Sequence, residues 1–392
     1  MDKSRQTVGF FLVHSIDCGI GGMESHQKAF IDYFFNEDCD SIVKFKYIIE
    51  NNKNVYTIHK CYNKRVMPIC QLNDIKELSL FINEKSNKKP LLFLNDGWWI
   101  ECILEFRVLL SNCLIIMRSG GNDIELAPWN RGSFSYSQRR MLWKHSINKL
   151  NYIIANSDYS VSLLKKLSVL PIKIIKIRGG VNEYLSEFFR EKKDIIKTEL
   201  REKLKIEQKY ILLFACRFVP FKGIMPALRI FLKSHAYNEC HLIFVGSGIL
   251  KTDIENWCIE NLNNNQFTFM GELSNDETLK IIAASDILIN TSINYLKQSG
   301  DGFYIHTETM GRSMMEAISV RTKIFATNVG GTNELFKENV GIGYLASYNE
   351  QSIIYGFNNI ENILSEQFNN AIDYSWKSVF FKYNNVFNSL IQ

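Results

Sequence analysis

Two glutamates in the segment HTETMGRSMMEAIS (306–319) have a spacing that suits recognition of hydroxyl groups. Gly311 lies between them, where a loop can turn into a helix, so Glu308 should precede that helix. Glu316 should lie about one and a half turns inside it, and both carboxylates could accept hydrogen bonds from vicinal hydroxyls such as those of a ribose. Backbone N–H groups near Gly311 and Arg312 would add an anion site. The spacing is also typical of a solvated helix face, so the prediction needs support from neighbouring motifs.

Two cations in the segment ACRFVPFKGI (215–224) suit a diphosphate. Arg217 and Lys222 follow an apolar run that is typical of a buried strand, and they precede a helix-period stretch. Arginine offers a planar fork and lysine a point charge, and both would neutralise charge that develops on a nucleoside diphosphate leaving group. By itself the fragment also fits a loop with two exposed cations.

Four glycine doublets lie at or shortly after the ends of apolar runs. In open α/β sheets, ligands bind outside the carboxyl ends of strands, where glycine lets backbone N–H groups approach a phosphate or a sugar. Any one doublet also fits a plain turn, but four of them favour a ligand held in a cleft between two domains. The doublets are Gly21–Gly22, Gly120–Gly121, Gly179–Gly180 and Gly330–Gly331.

These motifs must be positioned by alternating strands and helices, since short apolar runs alternate with helix-period stretches along the chain. This alternation predicts parallel α/β sheets with right-handed crossovers. The candidate strands are 8–14, 45–50, 55–59, 91–95, 113–118, 152–156, 172–177, 210–215, 241–246, 267–271, 286–290 and 323–327.

A chain of 392 residues favours two domains. We predict an N-terminal domain over 1–185 and a C-terminal domain over 208–369. The charged, helical segment 186–207 is predicted to link them, and a helical, aromatic tail follows from about residue 370 to 392.

Composition narrows the class of protein. With 46% hydrophobic and 22% charged residues the chain is globular rather than disordered. The net charge of +5 is compatible with an anionic substrate, a nucleotide or an acidic membrane surface, and the absence of a binding module argues against nucleic acid. Nine singly placed cysteines without metal-ligand spacing predict reduced thiols in the cytoplasm and no metal site. No apolar stretch reaches the length of a membrane span.

The segment SQRRMLWKHSINKLNY (137–152) mixes basic residues with Met141, Leu142 and Trp143. This pattern resembles an interfacial helix, which would allow peripheral contact at the inner face of the cytoplasmic membrane or hold a lipid-linked acceptor. An ordinary surface helix with a buried stripe also explains the pattern, and we favour that interpretation.

In order and spacing, the C-terminal motifs resemble those of the retaining GT-B glycosyltransferases of the GT4 type. The two cations, VGSG (245–248), the two glutamates around Gly311, and Gly330–Gly331 before Glu334 follow one another as in that family. The resemblance implies two Rossmann-like, doubly wound α/β domains that face each other across a cleft, with the C-terminal tail packed back on the first domain.

The N-terminal half carries weaker parts of the same resemblance. GIGGMESH (19–26) is similar to the family's glycine loop over the sugar and phosphate. ANSDYSVSLLKKL (155–167) and IRGGVNEYLSEF (177–188) resemble the segments that end its first domain. The resemblance therefore covers nearly the whole chain.

The resemblance also implies roles for individual residues. Glu316 would bind the nucleotide ribose and Glu308 the hydroxyls of the donor sugar, while Arg217 and Lys222 would hold the diphosphate. The family retains anomeric configuration, and it uses neither a metal nor another cofactor. The remaining candidates for substrate binding are Gly21, Gly22, His26, Arg118, Gly121, Gly246, His306, Thr309, Met310, Gly311, Arg312 and Gly331.

Two departures from the family pattern concern the sugar. Family members often carry a histidine where this chain has RSGGND (118–123), so Arg118, Asn122 and Asp123 are candidates to replace it, unless the site is built differently. An additional stretch, YLKQSGDGF (295–303), precedes His306. It either shapes the sugar pocket or forms a surface insertion, and its position beside Glu308 favours the pocket.

We therefore expect a glycosyltransferase that moves a sugar from a nucleotide-sugar donor, UDP first and GDP next, to a glycan, lipid-linked or protein acceptor. Bacterial surface glycan synthesis is the expected setting. Two alternatives remain open, a nucleotide-sugar epimerase on the same fold and a non-catalytic sugar- or nucleotide-binding subunit. The two spaced glutamates argue against the first, and the retained cations argue against the second.

Overall fold

The computed structural model divides the chain into two compact units. The first comprises residues 1–179, 297–304 and 376–392, and the second comprises 180–296 and 305–375. The first boundary falls at 179/180, a few residues before the predicted position. The residues that the structure describes are 7–16, 22–36, 39, 41–52, 54–62, 65–86, 89–110, 112–125, 135–299, 301–369 and 372–391.

The first unit is built on an eight-stranded sheet in the order β4-β3-β2-β1-β5-β6-β7-β8. Its strands are β1 (Thr7–Val13), β2 (Val43–Asn52), β3 (Val55–Tyr62), β4 (Arg65–Leu72), β5 (Leu91–Leu94), β6 (Leu114–Arg118), β7 (Tyr152–Ala155) and β8 (Ile174–Lys176). Its helices up to residue 166 are α1 (Gly22–Phe34), α2 (Ile75–Lys85), α3 (Ile103–Leu109), α4 (Asn122–Glu125), α5 (Tyr136–Ile147) and α6 (Asp158–Lys166). Because β1, β5, β6 and β7 are parallel neighbours, their carboxyl ends share one edge of the sheet.

At the other side of this sheet the predicted parallel alternation is wrong. β2, β3 and β4 pair antiparallel. The turn between β2 and β3 is too short to contain a crossover helix, so the two strands must run in opposite directions. β4, which was not predicted, is the edge strand, and an edge strand tolerates Pro68.

The second unit contains a six-stranded parallel sheet in the order β11-β10-β9-β12-β15-β16. From residue 180 onward the strands are β9 (Tyr210–Ala215), β10 (Cys240–Val245), β11 (Phe267–Gly271), β12 (Ile287–Asn290), β13 (Tyr295–Ser299), β14 (Gly302–His306), β15 (Lys323–Thr327) and β16 (Gly343–Ala346). The helices up to residue 365 are α7 (Glu183–Glu191), α8 (Lys193–Leu204), α9 (Ile224–Phe231), α10 (Lys251–Asn261), α11 (Asn275–Ala284), α12 (Arg312–Ser319), α13 (Thr332–Glu338), α14 (Glu350–Asn358) and α15 (Ile360–Ser365).

The segment predicted as a linker, 186–207, is instead part of the second unit. Its helices α7 and α8 bury Phe189, Ile196 and Leu200 in the same core as Leu213 of β9. The charged residues that suggested a linker occupy the outer faces of two amphipathic helices.

The C-terminal helix α16 (Trp376–Ile391) belongs to the first unit. Its buried face carries Phe380, Tyr383 and Phe387, which share a core with Phe30 of α1 and Phe93 of β5. Helix α16 therefore packs on the same face of the sheet as α1.

Helix α5 contains most of the segment considered for membrane contact. Trp143 and Ile147 are buried in the core of the first unit, and Arg139 is buried as well, whereas Met141 is exposed. The apolar stripe thus faces inward, as in an ordinary surface helix. Among the described residues, no helix is long and apolar enough to cross a membrane.

Candidate functional site

Glu308 and Lys222 form an ion pair at the carboxyl edge of the second sheet. Lys222 lies in a short 3₁₀ turn, Pro220–Lys222, that follows β9, and β9 pairs with β12. Lys222 Nζ lies 2.5 Å from Glu308 Oε2, with the two side chains 15% and 11% exposed. Eighty-six residues apart in sequence, the predicted phosphate ligand and the predicted sugar ligand are direct partners.

Further donors surround the Glu308 carboxylate. The Gly311 N–H donates to Oε1 at 3.0 Å, and the Ser292 hydroxyl donates to Oε2 at 3.4 Å. Burial alone would raise the pKa of Glu308, but the Lys222 charge and hydrogen bonds from Lys222, Gly311 and Asn290 hold it below its ordinary value. Glu308 is therefore a carboxylate that stays ionised although it is buried.

The Gly330–Gly331 loop after β15 fixes the backbone of Glu308. The Gly331 N–H donates to the Glu308 carbonyl at 2.8 Å. Gly330 has φ +54°, and a Cβ there would lie 1.9 Å from the same carbonyl oxygen. Only glycine permits this approach, so the doublet is part of the Glu308 site.

Glu316 lies inside α12, as predicted, and is buried. Its Oε1 accepts a hydrogen bond from Arg312 Nε at 2.9 Å, an i,i+4 pair. Its Oε2 accepts no hydrogen bond from the described part of the chain. One oxygen of this carboxylate is thus held by the helix while the other is available to a ligand.

His306 stacks on Phe221, which precedes Lys222. The two ring centroids are 4.1 Å apart at 23°, and Lys222 Nζ lies 5.1 Å from the Phe221 ring centre. His306 is the last residue of β14, so the additional stretch 295–303 belongs to the strand pair β13–β14. The end of this pair lies beside Lys222, the predicted phosphate ligand. Whether the strand pair shapes a sugar pocket stays a prediction.

The other predicted residues of this unit are distributed around the same edge. Arg217 is exposed, and its side chain has no ion-pair partner among the described residues. The Gly246 N–H donates to the Gly271 carbonyl at 2.7 Å, which fixes the loop after β10. Thr309 and Met310 are buried like Glu308, and their contact with a ligand stays a prediction.

In the first unit, Asp123 organises a loop and is not poised as a free acid or base. Its carboxylate accepts hydrogen bonds from the Ser119 hydroxyl at 2.6 Å and from three backbone N–H groups, those of Gly97, Gly120 and Gly121. Four donors leave little capacity for a substrate proton. The predicted catalytic role of Asp123 is therefore replaced by a structural one.

Other predictions for the first unit have mixed outcomes. Gly22 begins α1, and Asn122 begins α4. Gly21 and the side chain of Asn122 lie outside the described residues. Gly121 has φ +103°, and its N–H is bound within the loop by Ser119 and Asp123.

His26 lies in the core instead of facing a ligand. Its ring is 0% exposed, with Nδ1 2.9 Å from Asn95 Oδ1 and Nε2 3.2 Å from the Tyr383 hydroxyl. The predicted contact with a sugar is therefore replaced by a buried link between α1, the end of β5 and α16. Neither Asn95 nor Tyr383 was predicted, because nothing local in their segments indicates a distant partner.

Comparison with known proteins identifies the class. Residues 196–371 match the family model of glycosyl transferases group 1. This segment, most of which lies within the second unit, is thus similar to group 1 glycosyltransferases. An uncharacterised glycosyltransferase of Methanocaldococcus jannaschii is 24% identical, over 98% of this chain and 97% of that protein.

Solved structures agree on the fold, which is GT-B. HepE of Anabaena in complex with UDP superposes with a TM-score of 0.64 at 14% identity, covering 98% of this chain and 100% of that one. The catalytic domain of starch synthase IV from Arabidopsis thaliana, bound to ADP and acarbose, superposes with a TM-score of 0.63 at 14% identity, covering 98% and 99%. The chain thus consists of two Rossmann-like α/β units, as in the GT-B fold.

Chemically, the site in the second unit combines an ionised buried carboxylate, a lysine and the start of α12. A carboxylate accepts hydrogen bonds from hydroxyls, whereas a lysine and helix N–H groups attract anions. The Gly331 N–H fixes the backbone of Glu308, and the Glu308 carboxylate binds Lys222 and the Gly311 N–H before α12. The arrangement suits a molecule that carries both hydroxyls and a negative charge.

Adding a methyl group at Gly330 should disrupt this site. Gly330→Ala is expected to lower the free energy of unfolding by about 1–3 kcal/mol and to reduce turnover, because a Cβ would displace the Glu308 carbonyl. Gly271→Ala is the matched control, since Gly271 has φ +71° but nothing within 4 Å of the added Cβ. Thermal unfolding and transfer assays on both variants test this. Equal effects at the two positions would attribute the loss to backbone strain alone.

Proposed function

We propose that this chain is a retaining glycosyltransferase of the GT4 type that transfers a sugar from a nucleoside diphosphate sugar. The acceptor would be a glycan, a lipid-linked sugar or a protein in bacterial surface glycan or glycoconjugate synthesis. The observation that carries the proposal is the Glu308–Lys222 pair at the edge of the second sheet, inside the group 1 domain. The pair places a carboxylate that accepts hydrogen bonds from hydroxyls beside a lysine that binds anions.

In this proposal, Lys222 and Arg217 neutralise the diphosphate as the bond to the sugar breaks. Glu308 accepts hydrogen bonds from hydroxyls of the donor sugar, and its low pKa keeps it ionised for this purpose. Glu316 uses its remaining oxygen for the ribose. The acceptor hydroxyl attacks from the face that the departing phosphate leaves and gives its proton to that phosphate, which retains the anomeric configuration.

UDP is the proposed nucleotide of the donor, with GDP next. HepE was solved with UDP, which supports this choice, whereas starch synthase IV was solved with ADP. A thermal-shift panel of UDP, GDP, ADP and CDP would identify the base. A ligand at 100 times its Kd stabilises the folded state by about 2.7 kcal/mol, so the correct nucleotide should be evident.

The activity is tested by incubating the protein with radiolabelled UDP-sugars and a lipid or glycan extract. We expect a labelled product with the parent chain and none with Glu308→Gln, which keeps the shape of the side chain but removes its charge. Tight binding of a nucleotide sugar without turnover on any acceptor would favour a non-catalytic binding subunit. Interconversion of the free nucleotide sugar would favour an epimerase.

We also propose that the reaction needs no metal, because Lys222, Arg217 and the start of α12 supply positive charge at the diphosphate. Turnover should therefore persist in excess EDTA. Loss of activity in EDTA that Mg²⁺ or Mn²⁺ restores would contradict this part of the proposal.

A further inference from the structure

Arg118 is a buried cation at the carboxyl edge of the first sheet. It is the last residue of β6, between the parallel neighbours β5 and β7, and only 4% of it is exposed. Ligands of open α/β sheets bind at this edge. A guanidinium stays charged in proteins, so its burial requires compensation.

One side of Arg118 faces a buried polar chain that comprises Tyr383, His26 and Asn95. Arg118 interacts with the Tyr383 hydroxyl and lowers its pKa, but burial has the larger effect and raises the pKa of Tyr383 to about 12. The Tyr383 hydroxyl lies 3.2 Å from His26 Nε2, and His26 Nδ1 lies 2.9 Å from Asn95 Oδ1. These contacts hold Tyr383 beside Arg118 and include no carboxylate, so they do not neutralise the Arg118 charge.

The other side of Arg118 lacks a counter-charge. Its Nη1 is buried and has no hydrogen-bond partner, and Arg118 forms no ion pair among the described residues. The neighbouring carboxylate, Asp123, is already bonded to Ser119 and to the N–H groups of Gly97, Gly120 and Gly121. A buried, unpaired charge is costly, and such a group persists where a ligand completes it.

We propose that Arg118 binds an oxyanion of a substrate, a phosphate or a carboxylate, and that Tyr383 is the positioning residue that orients its guanidinium. The proposal rests on the transferase function and deepens it, because it assigns an anion-binding group to the first unit. The oxyanion belongs either to the diphosphate of the donor or to an anionic acceptor such as a lipid-linked sugar phosphate. Arginine suits both, since its fork matches two oxygens of either group.

Arg118→Met tests the proposal, since it removes the charge and keeps a long apolar side chain. Binding of UDP is measured by calorimetry, and stabilisation by inorganic phosphate is measured as a shift in Tm against chloride at equal ionic strength. A donor diphosphate at Arg118 predicts about tenfold weaker UDP binding. An acceptor oxyanion predicts unchanged UDP binding with a smaller phosphate shift. UDP and phosphate responses equal to those of the parent chain would overturn the proposal.

The Tm of the free Arg118→Met protein distinguishes a binding role of Arg118 from a purely structural one. Loss of an unpaired buried cation should leave the Tm of the free protein unchanged or raise it. A lower Tm with parental binding of UDP and phosphate would make Arg118 structural and would refute the proposal. If Arg118→Met does not fold, Arg118→Lys carries the test, because it keeps the charge without the fork and should bind with intermediate affinity.

The positioning role is tested with Tyr383→Phe, which removes only the hydroxyl from α16. We expect a loss of binding of the same kind as in Arg118→Met, but smaller, because the guanidinium keeps its charge and loses only its orientation. Tyr374→Phe is the matched control, since its hydroxyl is also buried and accepts a hydrogen bond, from Asn339 at 2.9 Å. Equal binding losses in the two variants would contradict a specific role for Tyr383.

These readouts do not depend on turnover. If no donor is transferred but phosphate stabilisation depends on Arg118, the transferase proposal fails and the anion site stands. If transfer occurs and neither Arg118 variant alters UDP binding, phosphate response or acceptor KM, the anion site fails alone.

Discussion

Lys222→Met should reduce turnover by about 100- to 1,000-fold, which is the cost typical of removing one preorganised group that stabilises developing negative charge. The same change leaves Glu308 buried without its cation, and breaking such a pair destabilises proteins by about 3–5 kcal/mol. Initial rates at saturating UDP-sugar and urea unfolding measure the two effects. Parental turnover in this variant would exclude Lys222 from the diphosphate site.

The pH dependence of the free energy of unfolding should have opposite signs in the parent chain and in Lys222→Met. In the parent chain the pKa of Glu308 is depressed below 4.5, so its contribution is present above that pH and is lost as the pH falls through the native pKa. Without Lys222, burial becomes the dominant influence and raises the pKa of Glu308. A raised pKa stabilises the folded state at low pH and loses that contribution as the pH rises, so Lys222→Met should become less stable between about pH 5 and 8.

Two further variants isolate the pair. Adding Glu308→Gln to Lys222→Met removes the titrating group, so the difference in pH profile should vanish and part of the stability should return. Lys280→Met is the control, since Lys280 and Glu199 form an exposed pair at 3.7 Å that should contribute little. A pH profile of Lys222→Met that survives in the double variant would assign the titration to another group.

The strands and site residues of the second unit could largely be predicted from the sequence because the site residues lie close to strand ends. The windows 210–215, 267–271 and 323–327 coincide with β9, β11 and β15. Parallel strands bring their carboxyl ends together, so cations after one strand and glycines after another were expected to meet. What sequence could not supply is the pairing itself, because Lys222 and Glu308 were assigned to different parts of the ligand.

In the first unit, local sequence patterns did not predict the contacts of several candidate site residues. His26 and Tyr383 are separated by 357 residues, and each lies in an apolar helix where a polar side chain could equally face a ligand or the core. The antiparallel pairing of β2 with β3 follows from a short turn, which the spacing of the candidate strands 45–50 and 55–59 indicated but the prediction of parallel pairing overlooked. Asp123 appeared catalytic by residue type, but its four hydrogen bonds depend on the folded positions of Gly97 and the 119–121 loop.

Glu316→Gln should weaken the binding of UDP by about 100-fold. A carboxylate can accept a hydrogen bond from each hydroxyl of a ribose, and each charge-assisted bond contributes about 1.5–3 kcal/mol, where 1.4 kcal/mol is tenfold in affinity. Glutamine keeps the size of the side chain, so α12 should remain intact. Glu255→Gln is the matched control, because Glu255 forms an i,i+4 pair with Lys251 at 3.8 Å on another helix, α10.

Removing the ribose hydroxyls from the nucleotide completes a double-mutant cycle with Glu316→Gln. The parent chain should bind 2′,3′-dideoxy-UDP about 100-fold more weakly than UDP, whereas Glu316→Gln should discriminate much less between the two. Non-additive losses would locate the ribose at the free oxygen of Glu316, since the variant and the analogue then remove the same interaction. Additive losses in calorimetry would place the ribose elsewhere and leave Glu316 to its pair with Arg312, 2.9 Å away.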